Sequence, residues 1–187
     1  QGRVAKGDRE RLAALVAPCM GEDGASSLEA KPLTGRPRLR LEIGGLELEV
    51  GPLTFFQVNL EANIRLVASV LGAVRAFEPT RVLDLFGGAG NLSLPIATHG
   101  IPVELVEVHP PAVKDARANC ARLGLEVTIR QEDAYRLQPG STFFDVAVLD
   151  PPRRGAGPAM EAVCATRPRG IVLVSCHPAS LSKDLSV

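Results

Sequence analysis

The chain has 187 residues, 45% of them hydrophobic and 22% charged, a composition that suits a soluble globular domain with a full core and a small appendage. Lysine plus arginine and aspartate plus glutamate both number 21, so the molecule as a whole exerts no pull on a polyanion, and nucleic-acid affinity must come from a local patch or from chain outside this one. No apolar run approaches the ~20 residues of a membrane span, and no secretory leader is evident.

The first predicted element is a helix over residues 8–17, where Leu12, Leu15 and Val16 recur at helical spacing, followed by a loop over 21–27. Residues 38–50, RLRLEIGGLELEV, alternate apolar and charged positions around Gly44-Gly45, the pattern of a hairpin. Residues 59–77 carry Leu60, Ile64, Val67, Val70, Leu71 and Val74 at helical intervals. A short apolar strand over 81–86 leads into a glycine loop and a helix over 91–98. Then come a strand over 103–108, a helix over 111–124 with Pro at its start and Gly at its end, and strands over 126–130 and 143–150. A short helix near 158–165, a last strand over 170–175 and a helix beginning at Pro178 complete the chain.

Strands alternating with helices from Arg81 onward predict an α/β architecture, a Rossmann-like, mostly parallel twisted sheet of five strands with helices on both faces, preceded by the β-hairpin. Ligands of such sheets sit beyond the carboxyl ends of the strands. The stretches predicted there are Phe86–Asn91, Glu107–His109, Asp133, Asp150–Arg153 and Cys176–Pro178.

The segment LDLFGGAGNLS, 83–93, reads as strand, turn and helix start, with Gly87, Gly88 and Gly90 letting the backbone approach a ligand closely. Glu107, closing the next strand, can accept two hydrogen bonds from a ribose diol. Ser93 occupies the third glycine position of the dinucleotide fingerprint, and Asp84 is atypical of a dinucleotide site. Asp133 can contact an adenine amino group or cap a turn. Asp150, before two prolines, can bind an N–H edge of a base, orient a substrate or start a turn. Arg153 and Arg154 suit a phosphate or solvent.

Cys19, Cys120, Cys164 and Cys176 form no CxxC pair, and their spacing suits neither zinc nor an iron–sulfur cluster. No metal site is expected, and a reducing, cytoplasmic location is the default for so few cysteines. Cys176 differs from the other three, because it follows a strand in the loop where this fold builds its site. A helix starting at Pro178 would favour its thiolate, and His177 either adds positive charge or points away.

Five stretches in order, FFQVN (55–59), VLDLFGGAGNLSLPIA (82–97), VEVHPPAV (106–113), LDPPRRG (149–155) and VSCHPASLSKDL (174–185), together resemble the RNA 5-methyluridine methyltransferases. These enzymes use S-adenosylmethionine to methylate uridine in ribosomal or transfer RNA. The resemblance covers about residues 38–187. It implies that Gln57, Phe86, Asn91, Glu107 and Asp150 line the pocket for cofactor and target base, with Gly88 and Gly90 in the cofactor loop and Asp133 near another cofactor contact. Gln57, Asp150 and Arg153 become the substrate-binding residues, RNA the partner and Cys176 the nucleophile that adds to carbon 6 of the base. The target uridine is expected single-stranded or flipped out of its stack.

The chain also departs from that pattern. Gly87 stands where family members often have Cys, and His177 where they usually have Asn. No residue matches the family's proton-abstracting Glu, its RNA-binding barrel or its cluster cysteines. The expectation is a fragment, with 1–54 the remnant of a central domain and 55–187 a C-terminally truncated methyltransferase domain, monomeric and without a membrane association. A 5-methylcytidine or other base methyltransferase, a catalytically inactive cofactor- or RNA-binding module and, more remotely, a nicotinamide-dependent dehydrogenase remain compatible with the residues.

Overall fold

A computed structural model describes residues 38–138 and 144–187. The predicted helix over 8–17, the loop over 21–27 and Cys19 lie outside these, as does the first residue of the strand expected over 143–150. Strands β1 (Leu39–Ile43) and β2 (Leu46–Val50) form the hairpin, paired antiparallel so that Ile43 faces Leu46. Gly44 and Gly45, at φ +58° and +78°, make its two-residue turn, and two positive φ values in succession are what a glycine pair supplies most readily.

Helix α1 (Leu60–Arg75) begins at Asn59, whose side chain accepts the Ala62 amide, and buries Val67, Val70 and Val74 on one face. The main sheet then runs through β3 (Val82–Leu85), helix α2 (Ser93–Ala97), β4 (Val103–Glu107), helix α3 (Pro110–Leu123) and β5 (Val127–Gln131). A single 3-10 turn over Ala134–Arg136 precedes β6 (Val146–Leu149), helix α4 (Pro158–Ala165), β7 (Gly170–Leu173) and helix α5 (Pro178–Asp184). Prolines open α3 and Gly124, at φ +64°, closes it.

The five strands are ordered β5-β4-β3-β6-β7 and every pairing is parallel. All residues of the central strands β3 and β6 are buried, as expected of a sheet covered on both faces. The chain leaves β3 toward β4 on one side and later returns to β6 on the other, so the crevice outside the carboxyl end of β3 is the topological switch point.

Polar clamps fix the surrounding pieces. Asp115 of α3 accepts Arg38 at 2.8 Å through one oxygen, and the Gly51 amide at 2.7 Å and the Thr54 hydroxyl at 2.5 Å through the other. Asn119, one turn further along α3, takes the Glu49 amide at 2.8 Å and returns a hydrogen bond to the Glu49 carbonyl at 3.0 Å. That pair occupies both backbone groups of Glu49 much as a neighbouring strand would. Asp145 receives the Thr80 amide and hydroxyl and the Arg81 amide, tying the start of β6 to the start of β3. Among the described residues no helix is long and apolar enough to cross a membrane.

Candidate active site

The carboxyl ends of β3, β4, β6 and β7 and the turn after β5 surround one cavity of about 1000 Å³. Its lining includes Gln57, Phe86, Gly88, Asn91, Glu107, Asp133, Asp150, Arg153 and Cys176. Residues expected from widely separated stretches of sequence therefore share one wall-to-wall site. Gly90 is the exception. At φ +94° it turns the chain into α2, and a Cβ there would meet Leu94 Cγ at 2.6 Å, so it serves packing rather than approach to a ligand. Gly87 is likewise a packing glycine, since an added Cβ would sit 2.5 Å from Leu105 Cγ. Gly88 alone combines φ +56° with open space where a Cβ would point, and it faces the cavity.

Glu107 is held by the backbone. Oε2 accepts the Gly88 amide at 3.0 Å and Oε1 the His109 amide at 2.7 Å. The carboxylate is thus oriented at the cavity edge with lone pairs left for a diol. Asp133 caps the turn by accepting the Tyr135 amide at 3.0 Å, one of its two expected roles, and it also lines the cavity. Asn91 exchanges two 2.8 Å hydrogen bonds with the buried Asn63, which fixes its amide but commits one donor and one acceptor to the protein.

Phe86 has φ +63°, a left-handed conformation costly for a bulky side chain. The glycine-like turn aims its ring at Tyr135, with centroids 5.2 Å apart at 59°. Tyr135 in turn donates its hydroxyl to the Gly155 carbonyl at 2.7 Å, joining the turn after β5 to the loop after β6.

Beneath the glycine loop lies Asp84, fully buried. Ser93 donates to its Oδ2, and its Oδ1 has no partner among the described residues. Burial, opposed by the Ser93 hydroxyl and reinforced by repulsion from Asp150 and Glu107, pushes its carboxyl up to about 7. Asp150, itself a cavity residue, is raised to about 6 by burial. Glu107 and Asp150 on the cavity lining, with Asp84 buried beneath, give this part of the site an acidic character.

Cys176 is exposed on the cavity wall in the loop between β7 and α5. His177 caps α5, with Nδ1 accepting the Ser180 amide at 3.3 Å. Nδ1 also lies 3.0 Å from the Ser180 hydroxyl, so the ring is engaged with the start of α5. Ser180 donates its hydroxyl to the Arg153 carbonyl at 2.6 Å, and Asp184 accepts the Ala156 and Gly157 amides at 2.8 and 2.9 Å. The loop bearing Asp150 and Arg153 and the loop bearing Cys176 are thereby stapled together. A Cβ at Gly155, which has φ +89°, would lie 2.8 Å from Asp184 Oδ2, so the staple also dictates that glycine.

Sequence reading overlooked Asn63, Asp84 as a buried acid, Tyr135 and Asp184. Tyr135 alone left a signal, as the chain's single tyrosine beside Asp133. The other three act through partners remote in sequence.

Comparison with known proteins places the chain in context. The model of the family described as "Methyltransferase small domain" matches residues 54–166. An uncharacterised RNA methyltransferase of Thermosynechococcus vestitus is 36% identical over 163 residues, covering 84% of this chain and 36% of the relative. The 23S rRNA (uracil(1939)-C(5))-methyltransferase RlmD of Klebsiella pneumoniae is 41% identical over 145 residues, 75% of this chain and 33% of that protein. The chain thus spans about a third of the length of these relatives. Among solved structures, a Pyrococcus abyssi tRNA (uracil-54, C5)-methyltransferase in complex with S-adenosyl-L-homocysteine superposes with TM-score 0.74 and 23% identity, covering 89% of this chain and 42% of that one. A Thermus thermophilus 16S rRNA methyltransferase in complex with AdoMet and guanosine superposes with TM-score 0.60 and 24% identity, over 90% of this chain and 53% of that one. These two likenesses establish the Rossmann-like methyltransferase fold.

Proposed function

This chain belongs to the methyltransferase small domain family, and from that premise we propose that it binds S-adenosylmethionine and carries the core of an RNA uracil-5-methyltransferase. The single observation that carries the reading is the shared cavity. An exposed thiol on one wall and a glycine turn with a backbone-oriented glutamate on another open into the same space.

The residues fit the cofactor. Glu107 would take the ribose hydroxyls, Gly88 would let the backbone come close, and Asp133 would meet the adenine amine. The cavity carboxylates Glu107 and Asp150 suit a ligand bearing a sulfonium and an ammonium. When bound, S-adenosylmethionine supplies an electrophilic methyl group.

Carbon 5 of uracil is a weak nucleophile. The Cys176 thiolate, adding to carbon 6, forms a carbon–sulfur bond and shifts the ring's electron pair toward carbon 5 as an enolate, which then carries the nucleophilic density needed to accept a methyl group. A base takes the carbon-5 proton, and the electron pair left behind reforms the carbon 5–carbon 6 double bond as the carbon–sulfur bond breaks and the thiolate departs. Gln57 and Asp150 would hold the base edge. An ionised Asp150 accepts a hydrogen bond from N3–H of uracil, whereas N3 of cytosine offers only a lone pair, and this favours uridine over cytidine above pH about 6. Ribosomal or transfer RNA is the proposed partner, reached as an unstacked nucleotide.

The test is covalent trapping by RNA containing 5-fluorouridine, whose fluorine cannot leave as a proton would. Cys176→Ala is expected to abolish the trapped species while cofactor binding by calorimetry is retained. A trapped species persisting in that variant would refute the role of the thiol.

A further inference from the structure

Arg154 differs from the arginines that close on carboxylates. Arg38, Arg81 and Arg130 each close on a carboxylate, Asp115 for the first and Glu104 for the other two. Among the described residues Arg154 meets no carboxylate at ion-pair distance. Its guanidinium lies instead over the ring of Tyr135, 3.9 Å from the centroid. That ring is held by its hydroxyl on the Gly155 carbonyl and packs against the tilted Phe86 ring, while the Tyr135 amide donates to Asp133.

Stacking engages the face of a guanidinium and leaves its N–H donors, which lie in the plane, unspent. The result is an exposed guanidinium on the cavity lining, stacked on a ring and with no carboxylate at ion-pair distance among the described residues. It sits next to Arg153, on the loop that also presents Asp150 and is stapled to the Cys176 loop. A planar fork of this kind matches the paired oxygens of a phosphate.

Resting on the methyltransferase reading above, we propose that Arg154, preorganised by Tyr135, grips a backbone phosphate of the RNA strand that delivers the target nucleotide. A base drawn into the cavity brings its flanking phosphates to the rim, and contacts to them fix register without reading sequence. The zero net charge of the chain makes one oriented arginine count, since no broad positive field competes with it.

The experiment is an anisotropy titration of labelled single-stranded oligouridine with the whole chain across a salt series, with S-adenosylhomocysteine binding followed by calorimetry in parallel. Arg154→Ala is expected to weaken oligouridine binding about tenfold and to lower the salt slope by about 1, with cofactor affinity unchanged. Tyr135→Ala keeps the charge but frees the side chain, so affinity falls about threefold while the salt slope stays. Tyr135→Phe retains the stack and behaves as the unaltered chain in RNA binding. Unchanged RNA affinity and slope in Arg154→Ala would overturn the proposal, as would a parallel loss of cofactor affinity or a lack of oligouridine binding by the unaltered chain at low salt. Failure of the unaltered chain to bind S-adenosylhomocysteine would instead remove the methyltransferase reading, an outcome separable from the phosphate contact.

Discussion

Asp115 in the hairpin clamp and Asp84 under the glycine loop are both buried carboxylates, 3% and 0% exposed. Asp115 is met by Arg38, Gly51 and Thr54, and these donors hold its carboxyl below the usual range although burial alone would raise it. Asp84 has the Ser93 hydroxyl, a bare Oδ1 and two carboxylate neighbours, and it is pushed up to about 7. The same residue type is therefore satisfied where the fold is clamped shut and left wanting where the cavity opens. Unmet polar groups gather where a ligand is expected to complete them.

Breaking the satisfied member has the largest expected effect. Asp115→Ala leaves the Gly51 amide and the Thr54 hydroxyl without their acceptor and takes from Arg38, which keeps Glu49, one of its two carboxylates; a loss of about 3 kcal/mol in urea unfolding is expected, with the hairpin amides losing hydrogen-exchange protection first. A loss under about 1 kcal/mol would mean the clamp is not structural.

The unsatisfied member should behave in the opposite way. Its folded carboxyl titrates at about 7 against 3.8 when unfolded. The neutral form costs nothing below pH 3.8. As pH climbs to about 7 the unfolded chain releases its proton earlier, so stability falls through that window and levels off above it. Asp84→Asn removes this fall. The variant is expected to gain on the order of 2 kcal/mol on the unaltered chain between pH 5 and pH 8 in denaturant titrations, and parallel curves would contradict the assignment.

The smallest effect concerns Asp150, raised to about 6. If its ionised form holds the uracil edge, single-turnover methyl transfer to uridine should fall about tenfold per pH unit below 6 and be flat above it. Asp150→Asn should abolish that pH dependence together with most of the rate. A profile unchanged in that variant would place the titrating group elsewhere.

Much of this site was legible in the sequence because strand ends announce themselves. Glu107, Asp150 and Cys176 each follow an apolar run, and a parallel sheet carries such positions to one edge. Gly90 was misread because a glycine near a ligand loop looks the same whether it spares room for a ligand or for Leu94. Asp184 and Asn63 gave no sign, since their partners Ala156, Gly157 and Asn91 are distant in the chain.

Periodicity, turn glycines and capping residues are local, so the sequence by itself determined the order of elements, the parallel sheet and the set of residues at its carboxyl edge. Which of those residues share a cavity, which carboxylate is satisfied and which arginine is left with a ring instead of an anion depend on contacts between distant segments. Burial and Coulomb interaction act through space, and only the tertiary structure decided them.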